Sequence, residues 1–525
     1  MAGAMVRHLP LRPRTSTATL RFVIPVLFLG YFFLYPLGRI MWLSLSGGGW
    51  IEGLTRPRFL EAAWFTLWQA TVSTVLTVAA ASPLTWVVSR FNFRGKAIVK
   101  AFVTIPFVLP TVVVGAAFLA VFDAGLGALI AAHVFYNVAV VVRTVGGVWS
   151  RIDPTVEEAA ATLGASPARR FRLVVLPLIK PALASASAIV FLFCFTSFGT
   201  VLVLGQGRLR TLEVEIYQQA VNFLDLPVAA ALALIQLATV TVMLVVSART
   251  QRRALALTLA SEARLPAPRP GPQRVAVWTI LSVSLGLLSI PLVGLVGASL
   301  AGNAIGWRSL VTETPAAVEP LPAIGNSLVY AVVASVIAIV VGGLAASWLS
   351  NRPRASWFDL LLMLPLGTSA VTIGFGFLLA LGQPIDLRGT AALVPLAHAL
   401  VAIPFVVRAT LPLLRSIKRE LREAAAVLGA SPGRVWREID LPIVGRALAV
   451  GAGFAAVVSL GEFGATSFVV RPVSTTVPAL IFRYLSRPGS SSFATAMALA
   501  VVLALMTAII VVLIDRVRGS ESVIF

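Results

Sequence analysis

Long apolar blocks alternate with short basic segments along the whole chain. The apolar runs lie near residues 20–45, 62–89, 98–122, 127–149, 174–204 and 226–248, and then near 275–300, 325–350, 357–382, 389–414, 440–470 and 491–514. About 20 apolar residues in a helix cross the roughly 30 Å of hydrocarbon in a bilayer. The pattern therefore predicts an all-α membrane protein of about twelve transmembrane helices. Six fall before and six after the segment 261–274 (SEARLPAPRPGPQR), whose prolines disfavour helix and suit a solvated, semi-rigid linker. The predicted organisation is a first half over 1–260, this linker, and a second half over 275–525.

Basic residues set the expected orientation. With the N-terminus inside, the inner loops hold Arg90, Arg94, Lys96 and Lys100, then Arg151, Arg169, Arg170 and Arg172, then Arg249, Arg252, Arg253, Arg264, Arg269 and Arg274. The second half adds Arg352 and Arg354, then Arg415, Lys418, Arg419, Arg422, Arg434 and Arg437, and finally Arg516 and Arg518. The opposite loops are sparser in basic residues, and 205–225 mixes arginines with Glu213, Glu215 and Asp225. By the positive-inside rule both termini lie in the cytoplasm. The first apolar run, from Phe22 to about Leu45, is too long for a signal-peptide core and reads as a retained span behind a tail carrying Arg7, Arg12 and Arg14.

Composition narrows the classes. The chain has 525 residues, 58% hydrophobic and 12% charged, with a net charge of +21. The basic residues sit beside apolar spans, the distribution of cytoplasmic loops and not that of a nucleic-acid partner. The one cysteine, Cys194, permits no intrachain disulfide and no cysteine metal cluster. There is no HExxH pair and no GxxxxGK[ST] phosphate loop. If ATP drives this protein, another chain hydrolyses it.

An internal repeat at a spacing of 265 residues organises the rest. EEAAATLGASPARRFRLVVLPLIKPAL (157–183) returns as REAAAVLGASPGRVWREIDLPIVGRAL (422–448), with about 15 of 27 positions identical. The same offset pairs His133 with His398, Arg143 with Arg408, Ser197 with Glu462, Phe198 with Phe463 and Gly199 with Gly464. Upstream, IPFVLPTVVVG aligns with MLPLGTSAVTIG at a smaller offset, so the second half carries an insertion between its third and fourth spans. An even number of spans separates equivalent points. The halves are thus a parallel repeat about an axis normal to the membrane, with a pathway at their interface.

The repeated segment predicts two short helices in an inner loop. Glu158-Ala159-Ala160 opens the first, Gly164 permits a reversal, and Ser166-Pro167 caps and starts the second. Small alanines allow close backbone approach, and two such knobs fit a partner with two-fold symmetry.

This pattern resembles the signature loop of permeases in binding-protein-dependent ABC importers: EAA, three residues, Gly, nine residues, then aliphatic-x-Leu-Pro. Both copies match, at Glu158 to Gly164 with Val174 and Leu176-Pro177, and at Glu423 to Gly429 with Ile439 and Leu441-Pro442. The resemblance implies the type I importer fold and coupling loops at 157–177 and 422–442. Glu158, Ala159, Ala160 and Gly164, with Glu423, Ala424, Ala425 and Gly429, would dock the ATP-binding subunit. It implies two copies of that ATP-binding cassette subunit as partners, an external solute-binding protein or lipoprotein, surrounding membrane lipid, and a place in a bacterial cytoplasmic membrane. ATP is used by the partner, and no cofactor is expected on this chain.

Fused double-length permeases of this kind occur in thiamine and in ferric-iron importers. AHVFYN (132–137), FCFTSFGTVLVLGQG (193–207) and TLEVEIYQ (211–218) resemble the thiamine group, whereas SLGEFGATSF (459–468) fits either. Glu462 is the clearest acid within an apolar run. It reads either as a pathway residue favouring a cationic cargo or as a hydrogen-bonded residue at a helix bend. Phe195, Phe198 and Phe463 offer faces to an organic cation, against ordinary helix packing. Ser197, Phe198, Glu462 and Phe463 are the candidate pathway residues. His133 and His398 favour interhelical hydrogen bonding over iron ligation, because two isolated histidines make a poor ferric site. A twelve-span secondary transporter would need coupling-ion groups in the spans. An intramembrane enzyme would need a catalytic constellation, and Asp123 and Asp515 fall at span ends.

Overall fold

A computed structural model describes residues 15–254, 265–311, 319–352, 354–383 and 386–518. The basic tail with Arg7, Arg12 and Arg14, and residues 261–264 of the linker, lie outside the described residues. The first half comprises α1 (Thr19–Ser46), α2 (Pro57–Arg90), α3 (Lys96–Val108), α4 (Thr111–Leu119), α5 (Leu126–Trp149), α6 (Pro154–Thr162), α7 (Pro167–Phe195), α8 (Gly199–Gly205), α9 (Leu212–Tyr217) and α10 (Leu226–Ala254). The second half repeats them in order as α11 (Pro272–Arg308), α12 (Pro320–Ser350), α13 (Ser356–Gly367), α14 (Ala370–Ala380), α15 (Leu393–Ser416), α16 (Arg419–Val427), α17 (Gly433–Gly461), α18 (Thr466–Val469), α19 (Val477–Leu485) and α20 (Ser490–Arg518).

Ten of these helices are long and apolar enough to cross a membrane, and twelve spans result if each bent pair counts as one. The expected third spans are the bent pairs. Helices α3 and α4 meet at 98°, and α13 and α14 at 96°. Two chemistries make the same break. Pro110 has no N–H and drives Leu109 to an extended conformation, ψ 139°. At the repeat-equivalent site, Thr368 is extended with ψ 136° and the Ser369 hydroxyl accepts from the N–H groups of Val371 and Thr372. The expected insertion also has a place: the connection from α14 to α15 takes twelve residues (381–392), that from α4 to α5 six (120–125).

The expected spans 174–204 and 440–470 are broken too. Helix α7 ends at Phe195 and α8 starts at Gly199, and α17 ends at Gly461 before α18 starts at Thr466. Near their starts both α7 and α17 contain one π-helical turn, at Phe171–Val175 and Trp436–Asp440. Pro177 and Pro442 follow two residues later. A proline supplies no N–H and crowds the carbonyl a turn earlier, and the wider turn relieves that strain without ending the helix.

The halves are interleaved. Helix α1 packs along α12 and α14 of the opposite half, and α11 packs along α2, α3 and α4. The start of α1 reaches the second repeat loop, where the Arg21 guanidinium lies 5.5 Å from the Trp436 ring centroid. The described part of the linker is irregular up to the turn before α11, and Pro266 accepts from the Asn92 N–H at 2.9 Å.

The breaks meet inside the bundle. A Cβ on Gly374 would lie 2.6 Å from the Ala465 Cα, a backbone atom that cannot yield locally. Gly374→Ala is expected to cost about 1–3 kcal/mol by overpacking, read as a lower thermal midpoint in detergent. Gly286→Ala, with nothing within 4 Å of its Cβ, should leave that midpoint unchanged or raise it.

Candidate functional site: two repeat loops and the broken core between the halves

The first repeat loop begins at Asp153, whose carboxylate accepts from the Thr155 N–H at 2.9 Å and caps α6. That hydrogen bond holds the Asp153 carboxyl below the usual carboxylate range. Helix α6 stops at Gly164, φ +81°, and α16 stops at Gly429, φ +83°. A left-handed conformation suits glycine because it has no Cβ. Ser166 then caps α7, accepting from the Arg169 N–H at 3.4 Å. Glu158, Ala159 and Gly164 are exposed and Ala160 half-buried. Glu423, Ala424, Gly429 and Ala425 repeat this order. Beside the glycines, Leu163 is 88% exposed and Leu428 87%.

The two loops are braced differently. Glu157 forms an ion pair with Arg90 at the end of α2, at 2.9 Å and partly buried. Its repeat equivalent is Arg422, which pairs at 2.8 Å with Asp440 in the π-helical turn of α17. Each brace ties α6 or α16 to a membrane helix of its own half.

In the core, each half centres on a buried histidine. His133 on α5 bonds through Nε2 with the Ser197 hydroxyl (3.0 Å) in the break after α7, and through Nδ1 with Ser73 of α2 (3.2 Å). His398 on α15 bonds with Thr466 through Nε2 (2.8 Å) and with Ser459 through Nδ1 (2.7 Å), and its Nε2 lies 3.5 Å from a Glu462 oxygen. Both rings tie the fourth span to the break in the fifth, the hydrogen-bonding role expected from sequence. No group of three or more His, Cys, Asp or Glu able to hold a metal ion occurs among the described residues.

Glu462 sits at a helix break. Its Oε1 accepts from the Ala465 N–H (3.0 Å), and its Oε2 from the Thr466 N–H (3.0 Å) and the Thr466 hydroxyl (2.9 Å). It caps α18, which uses up much of its accepting capacity. Ser197 occupies the equivalent place in the first break. Phe195 stacks on Phe191 one turn earlier in its own helix, at 5.6 Å. Phe198 and Phe463, by contrast, stack on each other across the two halves, with centroids 5.5 Å apart and planes 22° from parallel.

The segment 205–225, expected as an outer loop, turns back into the bundle as α9. Glu213 and Glu215 are fully buried there. Glu215 pairs with Arg58 at 3.0 Å and with Arg210 at 3.7 Å. Glu213 accepts from Gln236 of α10 and, across the halves, from the Ser369 hydroxyl at 2.7 Å. Its partners lie 23 and 156 residues away. The only local signal was two acids spaced two apart among apolar residues.

Two interleaved membrane bundles with matching surface knobs and a shared broken core define a transport permease. The chain matches the model of the family described as binding-protein-dependent transport system inner membrane component twice, over residues 73–255 and 336–519. It belongs to that family: it is the membrane-spanning permease of a binding-protein-dependent ABC importer, working with a solute-binding protein and an ATPase subunit. The chain is 27% identical over 516 residues to the thiamine transport system permease protein of Brucella abortus, covering 92% of each. It is 25% identical over 508 residues to that of Escherichia coli, covering 91% of this chain and 93% of the relative. Similarity to the sulfate transport system permease protein of Salmonella typhimurium, 33% identical, spans 35% of this chain and 73% of the relative.

Loss of the Glu462 cap should be measurable. Glu462→Ala leaves the Ala465 and Thr466 N–H groups without their acceptor and is expected to cost about 1–2 kcal/mol. A thermal midpoint in detergent equal to that of the unaltered chain would exclude the capping role.

Proposed function

We propose that the chain imports thiamine or its phosphates, delivered by an external binding protein and driven by two ATP-binding subunits docked on 157–177 and 422–442. The observation that carries the docking part is the matched pair of knobs. Each has the same exposed Glu-Ala pair, the same left-handed glycine and the same protruding leucine. A lone exposed leucine is ordinary, but one at the same place in each of two rigid knobs suits a partner that covers both. Glu158, Ala159, Ala160 and Gly164, with Glu423, Ala424, Ala425 and Gly429, form the contact surfaces in this reading. ATP is bound and hydrolysed on the partner.

The cargo assignment is supported by the relatives named for thiamine transport, which align with both halves and over nine-tenths of the chain. The sulfate-permease likeness covers about a third of it. The proposed orientation puts both repeat loops and both termini on the cytoplasmic side. The start of α1 and the end of α2 both touch the repeat loops, through Arg21 on Trp436 and Arg90 with Glu157, which supports one shared face. The loaded binding protein then meets the opposite face. ATP-driven closure of the ATPase pair pushes both knobs, the halves rock, and the central path opens outward to take the cargo before it resets.

Gly164→Asp and Gly429→Asp add a Cβ where φ is near +80° and a charge on the docking face. Each is expected to lower ATP-driven uptake at least tenfold while membrane insertion persists; normal uptake in both contradicts docking through these loops. The cargo is tested by titrating the partner binding protein with thiamine, thiamine phosphates and ferric iron. Binding of ferric iron alone would overturn the thiamine reading.

A further inference from the structure

The stacked pair Phe198 and Phe463 is the centre of a longer arrangement. Phe198 also packs on Tyr217 of α9, with centroids 5.4 Å apart and planes at 59°. Phe463 packs on Phe482 of α19 at 5.6 Å and 56°. Tyr217 and Phe482 are 265 residues apart, the spacing of the repeat. The four rings therefore form a ladder, Tyr217–Phe198–Phe463–Phe482, whose members are paired by the repeat, with Phe468 of the second half packed edge-on against Tyr217 at 5.5 Å. Its middle contact lies where the two halves meet.

Acidic groups beside the ladder break its symmetry. Glu213 lies one helical turn before Tyr217 on α9, and residues four apart share a helix face. Its carboxylate is fully buried and reaches Ser369 of the opposite half. Among the described residues no arginine, lysine or histidine pairs with it, whereas Glu215, two residues on, has Arg58. The repeat equivalent of Glu213 is Pro478. Two buried carboxylates thus flank the ladder without a counterpart in the other half: Glu213 on α9, and Glu462, which precedes Phe463 and is held by the Ala465 and Thr466 N–H groups.

We propose that this ladder, with Glu213 beside it, is the constriction that selects cargo, and that it takes one planar organic cation between the rings of the two halves. Parting the halves uncovers the faces of Phe198 and Phe463. A planar cation between them replaces the lost ring contact on both sides, and its charge meets the negative ring faces and the carboxylate. An anion meets the same faces unfavourably. A hydrated ferric ion has no flat surface to stack. The inference rests on the thiamine reading above, since thiamine carries a thiazolium cation and a flat pyrimidine.

The test uses the full importer, with its ATPase and binding protein, in proteoliposomes. Uptake of thiamine is compared with that of a neutral analogue in which an uncharged ring replaces the thiazolium. Glu213→Gln keeps the shape and an acceptor for Ser369 but removes the charge. It is expected to lower thiamine uptake at least tenfold and neutral-analogue uptake less than twofold. The double variant Phe198→Leu with Phe463→Leu is expected to lower both uptakes at least tenfold, while ATP hydrolysis is still stimulated by the loaded binding protein. Phe198→Tyr with Phe463→Tyr should restore uptake. If the leucine variant fails to assemble, the Glu213→Gln and tyrosine variants decide. Thiamine uptake by the unaltered importer together with unchanged uptake in Glu213→Gln overturns this inference alone. Equal losses of both compounds in Glu213→Gln also overturn it, because a structural role for Glu213 cannot tell them apart. Uptake of ferric iron or an anion, and of no thiamine, by the unaltered importer overturns the cargo reading and this inference together.

Discussion

A helix that breaks inside a membrane must find partners for the backbone groups it frees, since lipid offers none. Each half of this permease breaks in its third span and again in its fifth, and the surrounding contacts follow from that. Where α4 begins, Pro110 brings no N–H of its own; where α14 begins, the Ser369 hydroxyl accepts two. Glu462 takes the free N–H groups at the start of α18. In the first half the Cys194 carbonyl, near the end of α7, accepts from Gln69 at 2.9 Å. The re-entrant helices are served alike: Thr66 of α2 accepts from the Leu212 N–H at the start of α9, and Ser327 of α12 from the Val477 N–H at the start of α19, both at 2.9 Å. The two histidines then lock each fifth-span break to the fourth span.

Joining the halves in one chain frees equivalent positions to differ, and the differences fall where geometry is shared. Ser197 and Glu462 both bound the fifth-span break, one as a neutral hydroxyl, the other as a carboxylate cap. Glu157 and Arg422 both brace a repeat loop, with opposite charge and different partners. Glu213 faces the opposite half while its equivalent is a proline. Two identical subunits would place every such carboxylate twice about the ring stack. A fused chain places Glu213 opposite Pro478 and Glu462 opposite Ser197.

The architecture was legible because it rests on run length and repetition. Apolar blocks set the spans, the 265-residue offset set the parallel halves, and the EAA loops announced their own reversal through Gly164 and Gly429. The breaks were less legible. Residues 98–122 and 357–382 read as continuous apolar runs, and a bend of nearly 100° leaves hydropathy unchanged. Pro110 marked one bend, but at its equivalent only Ser369 stood, a residue common in straight helices as well. The buried state of Glu213 was hidden for a different reason. A carboxylate in an apparent loop reads as solvated, and its burial depends on Gln236 and Ser369, which only the fold brings near. Phe198 and Phe463 were identified singly, yet their stacking on each other, and the addition of Tyr217 and Phe482, need two halves in place.

The same geometry joins each surface knob to the ring ladder through one long helix. Helix α7 runs 29 residues without interruption from Pro167, beside Gly164, to Phe195, three residues before Phe198. Helix α17 runs 29 residues from Gly433, beside Gly429, to Gly461, two before Phe463. At 1.5 Å per residue each is a rod of about 43 Å. In the proposed cycle, a push on a knob travels along this helix to the break that holds one ring of the central pair. The π-helical turns at 171–175 and 436–440 sit at the knob end of each rod, and the Arg422–Asp440 pair braces one of them directly. The two rods end three and two residues before Phe198 and Phe463, so in the proposed cycle a rotation of one half against the other changes their contact. That contact has no hydrogen bonds to break, which suits the proposed cycle in which the halves part and rejoin.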